Sequence, residues 1–514
     1  MTSRVQPSLL VAFWVLLMAL LALLYTTVPP SPDQSQFDWM AYIATQGHPF
    51  YVGSFDMNWP GAMWLHEAGI RLFGVHAWTW RLTDFLLMLG FSFGGAVFLH
   101  RANWPLAAWV FVFLYPALYV PAGSWMAGQR DIIATGFLIC ACALAMQNAP
   151  KEGRSVVLAG VCVACAVLIR PTFLSFLAGL MFLECMPMRD IHPRTCSRSA
   201  RALRFLAGFT LMIGAAICAG LALGSLDDWY RQSFQFATSI YIGEPPQDWR
   251  VTLWTLFVVS WNWITLMALF GLVVWALRDR LSYPLMLVLG IAATSTLSFA
   301  VQNKGFGYHL GGILLVLVLL LTIGIDQLDH WRRSVRTSLM RWGVTVALTG
   351  AVFLVLAGTA VKLENLKSGA VRILAGQFGP TDLYGLTEAE RRDIISLIKD
   401  GSTPDQTVAV YGTHYDLPYR AQRLPTYRYF TPAADQIKPG FVHYDEWMAE
   451  VDQALVQTPP AFVVMTRRAL PGPPDELNPA LADRSILTRL QQTLSEDYKV
   501  VFSNANVVVY QSPR

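Results

Sequence analysis

The residues best suited to chemistry in this chain are carboxylates placed where polar segments meet long apolar runs. Asp38, Asp56 and Glu67 lie in the polar segment 29–76, and Asp131 immediately precedes another apolar run. A carboxylate in such a position can take a proton from a hydroxyl group, or it can hold a divalent cation that faces a phosphate. Each could equally be an ordinary solvated or helix-capping residue.

A second group of candidates is basic and aromatic. In the segment VQNKGFGYH, residues 301–309, Lys304, Tyr308 and His309 stand among glycines whose backbone can approach a ligand closely. Such a group is suited to binding a phosphate at membrane depth. A lysine that reaches the interface beside an aromatic belt would leave a similar pattern. The two glycines of the segment favour the phosphate interpretation.

Two arginines border apolar segments and are further candidates for substrate binding. Arg170 and Pro171 interrupt an apolar stretch, where a charge is costly unless it reaches water, a carboxylate or a phosphate. The same two residues could be only the turn between two short helices. Arg130 directly precedes Asp131, so a local pairing is an alternative explanation of that acid.

The elements that must position these residues are membrane helices. The chain of 514 residues is 54% hydrophobic and 14% charged, whereas about a quarter of the residues of a soluble domain are charged. Apolar runs able to cross a bilayer lie near 9–28, 77–99, 105–122, 132–149, 155–169, 172–187, 205–224, 251–276, 283–301, 309–328 and 342–361. We therefore expect a polytopic α-helical membrane protein with about eleven transmembrane helices.

The distribution of basic residues predicts the orientation of the chain. With the N-terminus inside, the inner loops hold nearly all the clustered arginines, as the positive-inside rule requires. An odd number of spans then places the tail outside, which in a bacterium is the periplasm. The outer loops would be 29–76, 122–131, a small corner near Arg170, 225–250 and 302–308, so the acidic and aromatic candidates share the outer side of a bacterial inner membrane.

The first outer loop has two helical segments of its own. One is predicted to begin at Asp38 and to end at Gly47, and the other to begin at Pro60 and to end before Gly74. Their large side chains are typical of helices that lie in a membrane interface: Trp39, Met40, Ile43, Trp64, Leu65, Leu72 and Phe73.

The composition divides the chain into a transmembrane domain, 1–361, and a polar periplasmic tail, 362–514. Thr387 and Glu390 form a capping-box pattern at the start of a helix that ends at Gly401. The segments TVAVYG, AFVVMT, KVVFS and NVVVYQ are predicted strands, with helices DEWMAEVDQALVQ and SILTRLQQTLSE between them. The tail is therefore expected to be a small α/β domain.

The order of these motifs resembles that of the GT-C membrane glycosyltransferases, in particular bacterial relatives of protein O-mannosyltransferases and of lipid A aminoarabinose and galacturonosyl transferases. The similarity covers roughly the first 330 residues. It rests on Asp38 in FDWMAY, DMNWPGAMW from Asp56 with Gly74 and Arg81 after it, Arg130-Asp131, the corner from Leu168 to Pro171, and KGFGYH from Lys304 to His309. The stretch from Tyr411-Gly412 to Arg428-Tyr429 is similar to the outer domain of many members.

The resemblance implies transfer of a sugar from a polyprenyl-phosphate donor, with inversion, to a lipid, glycan or protein acceptor on the outer face. Asp38 would match the catalytic base and Asp131 the second loop acid, while Lys304 and Arg170 would hold the donor phosphate. The sequence departs from the family pattern because Trp39 follows Asp38, where members often have a second acid, and because Asn58-Trp59-Pro60 replaces Lys-Pro-Pro. Whether a divalent cation is bound therefore stays open.

Two other classes of protein remain as alternatives. An O-antigen ligase or polymerase would carry a late outer loop rich in arginine, whereas the loop 225–250 contains only Arg231 and Arg250. A transporter or assembly factor for envelope glycans would place charges near the middle of the membrane, where Arg170 is the single candidate. The sequence has no P-loop, GxSxG or Rossmann motif, so nucleotide-driven chemistry and triad hydrolysis have no support.

Overall fold

The computed structural model describes residues 7–147, 152–185, 197–241, 248–255, 282–335, 337–364, 366–376, 385–467, 485–494 and 498–513. The chain divides into two compact units. The first unit contains Met1–Tyr25, Asp84–Ala216 and Gln247–Gln377, and the second contains Thr26–Thr83, Ile217–Pro246 and Phe378–Arg514.

Helices form most of the described chain. In chain order they are α1 (Pro7–Tyr25), α2 (Pro32–Thr45), α3 (Gly61–Phe73), α4 (Thr79–Arg101), α5 (Pro105–Tyr119), α6 (Arg130–Ala145), α7 (Glu152–Ile169), α8 (Leu174–Cys185), α9 (Arg198–Ala222), α10 (Leu226–Tyr230), α11 (Trp249–Trp254), α12 (Tyr283–Gln302), α13 (Gly311–Ser334), α14 (Ser338–Glu364), α15 (Lys367–Leu374), α16 (Glu388–Asp400), α17 (Asp416–Ala421), α18 (Tyr444–Gln457) and α19 (Ser485–Leu494). A π-helical segment, Arg231–Tyr241, follows α10 directly.

Within the described residues, seven helical segments are long and apolar enough to cross a membrane. They are Ser8–Tyr25, Thr79–Arg101, Pro105–Ala122, Glu152–Ile169, Arg198–Ala222, Tyr283–Gln302 and Gly307–Ser334. The predicted spans near 132–149, 172–187 and 342–361 are also helical, as α6, α8 and α14, whereas the run near 251–276 lies outside the described residues from position 256 onward. A multi-pass helical architecture is thus confirmed, and the count of eleven spans stays a prediction.

Helix α13 forms the centre of the first unit. It packs against α5, α6, α12 and α14, and most of its apolar residues are buried. The approach to α6 is close because position 312 is glycine. A Cβ atom there would lie 2.5 Å from Thr135 Oγ1 and 3.2 Å from the Asp131 carbonyl oxygen. Glycine at position 312 therefore allows α13 to approach the start of α6 more closely than a larger residue would.

The second unit contains a four-stranded mixed sheet. The strands β1 (Val408–Tyr411), β2 (Phe462–Thr466), β3 (Lys499–Ser503) and β4 (Val507–Gln511) lie in the order β1-β2-β4-β3. The strands β1 and β2 are parallel, whereas β4 is antiparallel to both β2 and β3. All four strands were predicted from the sequence and are confirmed.

The predicted capping box at the start of α16 is also confirmed. Glu390 accepts a hydrogen bond from the backbone of Thr387 at 2.8 Å, and the Thr387 hydroxyl accepts one from the Glu390 backbone at 3.2 Å. These two bonds satisfy backbone donors that the first turn of a helix leaves unpaired. The helix ends at Asp400, directly before Gly401, as expected.

The start of the first loop helix is corrected by the structure. Helix α2 begins at Pro32 rather than at Asp38, because Ser31 and Gln34 form a capping box nearly two turns earlier. Asp38 consequently lies in the middle of a helix and not at its N-terminus. The bounds of α3 agree with the prediction, since Pro60 precedes it and Gly74 ends it.

The large side chains of α2 are buried by protein, although the sequence indicated a helix in the membrane interface. Trp39 and Met40 are fully buried, and the Trp39 indole donates a hydrogen bond to the carbonyl oxygen of Arg423 at 2.9 Å. The Trp39 ring also lies 4.3 Å from the ring of Phe430. Helix α2 is therefore a core element of the second unit, packed against the segment that follows β1.

Candidate active site

In the second unit, Asp38 is paired with a histidine. Helix α2 carries Asp38 and helix α3 carries His66, and the two helices pack against each other. His66 Nδ1 lies 2.7 Å from Asp38 Oδ1, and both side chains are almost fully buried. The imidazole stacks on the Trp80 ring with a centroid distance of 3.5 Å. The ring is thus held on one face by tryptophan and at one nitrogen by the carboxylate.

Burial raises the pKa of the Asp38 carboxyl above its ordinary value, although His66 and Arg81 act in the opposite direction. Removing a carboxylate from water disfavours its charged form, so the group holds a proton more strongly than a solvated aspartate does. The side chain of Arg81 is itself fully buried and donates to the carbonyl oxygens of Val28 and Pro29 at 3.0 and 2.5 Å. A carboxylate with a raised pKa takes up a proton more readily than a solvated one, which is one requirement of a general base.

Asp56, predicted to bind substrate, is engaged in hydrogen bonds within the second unit. Its carboxylate accepts from Gln36 Nε2 at 2.5 Å and from the backbone and side chain of Asn58 at 2.6 and 2.5 Å. Its backbone donates to Gln232 Oε1 at 3.0 Å. This arrangement fixes the conformation of the loop between α2 and α3, and a role in substrate binding stays a prediction.

Glu67 follows His66 on α3 but does not share its environment. Its carboxylate pairs with Arg71, one turn later on the same helix, at 2.7 Å. The Arg71 side chain is 60% exposed, so this is a surface ion pair that contributes little to stability. The structure does not bring Glu67 into the Asp38–His66 pair.

In the first unit, Asp131 is paired with Arg170. Asp131 lies in the first turn of α6, and Arg170 lies at the corner between α7 and the 3-10 turn Pro171–Phe173. The guanidinium donates from Nη2 to Asp131 Oδ2 at 2.7 Å, and from Nε to Oδ1 and Oδ2 at 3.1 and 3.2 Å. A charged arginine in an apolar stretch is costly unless it has a partner, and Arg170 has one in the Asp131 carboxylate. The carboxylate thus pairs with a distant arginine and not with its neighbour Arg130.

Two further predicted residues lie close enough to act electrostatically on this pair. Arg130 and His309 both lie near enough to interact with the Asp131 carboxylate. His309 is almost fully buried, and its Nδ1 atom makes no hydrogen bond within the part of the chain that the structure describes. The two arginines carry one more charge than the Asp131 carboxylate balances, and this excess of positive charge is suited to an anion.

Lys304 and Tyr308 lie in the segment between α12 and α13. Lys304 is half-buried, between Asn303, which ends α12 in a left-handed conformation, and Gly305, whose φ is +64°. The Tyr308 ring stacks on Trp125 at a centroid distance of 5.3 Å. Gly305 therefore gives this segment a backbone conformation that residues with a side chain rarely adopt.

The structure also contains buried charges that the sequence did not indicate. Asp84 accepts hydrogen bonds from the hydroxyls of Tyr25 and Tyr119 at 2.5 and 2.7 Å. Arg201 is paired with both Glu152 and Glu184, three side chains that are almost fully buried. Buried charges in the first unit are therefore not limited to the Asp131–Arg170 pair. Glu152 and Glu184, the acidic partners of Arg201, lie near helix ends, where the sequence alone suggests that a carboxylate is exposed to solvent.

The described residues do not bring together three or more His, Cys, Asp or Glu side chains that could hold a metal ion. The two candidate catalytic acids are paired with His66 and Arg170, respectively. Among the described residues, the side chains around these two acids therefore do not fit a metal centre.

Comparison with solved structures identifies the fold. No protein-family profile and no curated protein matches the sequence. The chain is similar to the structure of ArnT from Cupriavidus metallidurans bound to undecaprenyl phosphate, with a TM-score of 0.64 and 15% identity over 98% of each chain. It is also similar to an oligosaccharyltransferase from Archaeoglobus fulgidus tethered with an acceptor peptide, with a TM-score of 0.51 and 12% identity over 98% of this chain and 74% of that chain.

Both neighbours are membrane glycosyltransferases of the GT-C superfamily. The chain therefore has a GT-C fold, and the resemblance identified from the sequence is confirmed at the level of the fold. The ArnT structure is matched along nearly its entire length, including the part that corresponds to the tail of this chain.

Proposed function

We propose that this protein is an inverting glycosyltransferase that moves a sugar from a polyprenyl-phosphate donor to a lipid, glycan or protein acceptor. The observation that carries the proposal is the buried carboxylate of Asp38, positioned by His66 at 2.7 Å, in a chain with the GT-C fold. Asp38 takes the proton of the acceptor hydroxyl. The hydroxyl oxygen attacks the anomeric carbon, and the bond from that carbon to the phosphate oxygen breaks with its electron pair on the phosphate.

The leaving phosphate requires positive charge, and the first unit contains basic side chains suited to it. Arg170 and Arg130 outnumber the single carboxylate of Asp131, and His309 presents a buried nitrogen beside them. We assign Arg170 and Lys304 to the donor phosphate, with Arg130, Tyr308 and His309 as further substrate contacts. Asp131 is then the acid that holds the Arg170 guanidinium in position, since its three hydrogen bonds fix the plane of that group.

The proposed setting is the bacterial inner membrane. The N-terminus is cytoplasmic and both the first loop, 29–76, and the tail, 362–514, are periplasmic, as the distribution of arginines predicts. The sugar donor is lipid-linked because nucleotide-activated sugars are absent from that compartment. The grouping of Thr26–Thr83 with Phe378–Arg514 in one compact unit supports a common location for loop and tail.

The test is transfer of label from a panel of purified polyprenyl-phosphate sugars to membrane glycolipid, comparing wild type with Asp38→Asn and Lys304→Ala. We expect transfer from one donor, lost by at least about a hundredfold in the Asp38→Asn variant because general-base catalysis is removed. Lys304→Ala should raise the KM for the donor. Full activity of Asp38→Asn in a folded protein overturns the assignment of the base.

Absence of transfer from every donor, with a folded wild-type protein, overturns the proposed reaction. In that case the protein should next be tested as an O-antigen ligase, a polymerase or a transporter. A matched control for Asp38→Asn is Asp452→Asn, which removes an exposed carboxylate of α18 that pairs with Arg489. This variant should transfer sugar at the wild-type rate.

A further inference from the structure

The second unit contains a cavity that is separate from the Asp38–His66 pair. Its volume is about 640 Å³, which lies within the range of small-molecule binding sites. Its walls come from three distant parts of the chain: the end of α2 and the following loop, the segment from α10 into Arg231–Tyr241, and the segments 407–429 and 446–454. Parts of the chain that are separated in sequence thus converge on one concave surface.

Two arginines organise the charges of this cavity in the same way. Arg231 pairs with Asp227 at 2.8 Å and with Glu446 at 3.0 Å. Arg428 pairs with Asp228 at 2.7 Å and with Glu450 at 3.0 Å. Each guanidinium thus lies between one acid from α10 and one acid from α18. Among the described lining residues, four carboxylates face two guanidiniums.

The carboxylates also reach solvent. The side chains of Asp227, Glu446 and Glu450 are 72%, 52% and 40% exposed, whereas Arg428 is only 13% exposed. Arg428 therefore lies behind the acids, whereas Arg231 is 31% and Asp228 23% exposed. A ligand that enters the cavity meets a lining whose charged side chains carry an excess of two negative charges. Charge complementarity favours neutral or positively charged polar ligands and disfavours anionic ones.

The rest of the wall is apolar or phenolic. Val52, Leu424 and Pro425 supply compact apolar surface, and Tyr427 and Tyr429 line the same cavity. The Tyr427 hydroxyl is buried and makes no hydrogen bond within the described ranges, whereas that of Tyr429 donates to Glu450 at 2.7 Å. Apolar surface beside carboxylate acceptors matches a sugar ring, which has C–H faces and a rim of hydroxyl donors.

We propose that this cavity binds the saccharide portion of an acceptor, and that it selects neutral and amine-bearing sugars over phosphorylated or uronic ones. The carboxylates accept hydrogen bonds from ring hydroxyls and amines, and Val52, Leu424 and Pro425 contact the C–H face of the ring. That the bound saccharide is an acceptor rests on the proposed function, whereas the charge selectivity rests on the cavity alone.

The experiment is equilibrium binding to the full chain in detergent, with no donor present. Three trisaccharide probes have matched size: triglucosamine, tri-N-acetylglucosamine and trigalacturonic acid. A fourth probe, trilysine, carries positive charge without sugar rings. We expect triglucosamine to bind best, tri-N-acetylglucosamine next, and trigalacturonic acid at least about tenfold more weakly than triglucosamine. Trilysine should bind more weakly than either of the first two.

The variant is Asp227→Asn combined with Glu446→Gln, which removes the two most exposed carboxylates, and the control is Asp452→Asn on the same helix as Glu446. The double variant should weaken triglucosamine binding about fivefold and leave tri-N-acetylglucosamine binding nearly unchanged. A second variant, Leu424→Asn, removes apolar wall surface without adding a charge and should weaken both. The preference for triglucosamine should also decrease at high salt.

Four outcomes would overturn the proposal: binding of none of the saccharides, equal binding of trigalacturonic acid, binding of trilysine at least as tight as that of triglucosamine, or affinities unchanged in both cavity variants. The trilysine outcome would assign the cavity to a basic peptide instead. Because the measurement needs no donor, a chain that transfers sugar but binds no trisaccharide contradicts only this inference. A chain that binds trisaccharides but transfers no sugar contradicts only the proposed function.

Discussion

His66 Nδ1 and Asp38 Oδ1 lie 2.7 Å apart, although the two residues stand 28 positions apart on different helices. Both side chains are buried, and Trp80 stacks on the imidazole. A buried carboxylate with one strong partner is confined to a single orientation, as a base must be if it is to meet an acceptor hydroxyl. Four predictions follow from this pair and from the contacts of the first unit.

The first concerns His66. In His66→Phe the ring and its stacking on Trp80 are retained, but Asp38 loses its partner. We expect kcat to fall about tenfold or more, with a much smaller change in the KM for the acceptor, because the carboxylate is no longer oriented. His66→Gln, which keeps a polar group near the carboxylate, should recover part of the loss. A KM effect without a kcat effect would contradict the positioning role.

The second concerns the dependence of activity on pH. Burial raises the pKa of Asp38 above the ordinary value of about 3.9, and the base works only when it is unprotonated. The acid limb of kcat/KM should therefore lie above that value, with activity lost as the pH falls through the raised pKa. In His66→Phe the limb should move to still higher pH, because His66 lowers the pKa of Asp38. An unmoved limb would contradict the assignment of that limb to Asp38.

The acid limb can be distinguished from acid unfolding. A carboxyl whose pKa is raised in the folded state binds its proton more tightly there than in the unfolded chain, so Asp38 itself favours the folded state as the pH decreases. Circular dichroism across the same pH range should show retained helix where activity is already lost. Simultaneous loss of helix and activity would mean that the profile reports unfolding.

The third concerns the Asp131–Arg170 pair. Asp131→Asn leaves a nearly buried guanidinium without its carboxylate, and removing one partner of a buried pair costs about 3–5 kcal/mol. We expect a marked decrease in the melting temperature in detergent. The double variant Asp131→Asn with Arg170→Gln should be more stable than Asp131→Asn alone, since the guanidinium that lost its carboxylate is also removed. Equal stability of the two variants would show that the pair carries no such coupling.

The fourth concerns Gly312. In Gly312→Ala the new Cβ atom would lie 2.5 Å from Thr135 Oγ1, so α13 must move away from α6 or the threonine must rotate. Overpacking of this kind costs about 1–3 kcal/mol. The matched control is Gly343→Ala on α14, where a Cβ atom meets nothing within 4 Å. Thermal unfolding should show destabilisation in the first variant and no loss of stability in the second.

The sequence alone was sufficient for the features that depend on local patterns. Apolar runs identified the helices of the first unit, short runs rich in valine identified all four strands, and the pair Thr387 and Glu390 marked the start of α16. The order of short motifs around Asp38, Asp56 and Lys304 was enough to suggest the GT-C fold, which the structural neighbours confirm. Apolar helical runs, short strand segments and caps each depend on residues close together in the chain, so they can be predicted without the fold.

The tertiary structure alone decided which side chains meet. Arg170 pairs with a carboxylate 39 positions away, Trp39 donates to a carbonyl 384 positions away, and Arg428 reaches Asp228 across 200 positions. The burial of α2 followed from the packing of a distant segment, and the same hydrophobic residues would also suit a membrane surface. Pairings over such distances depend on how whole elements pack, and no local pattern of residue types contains that information.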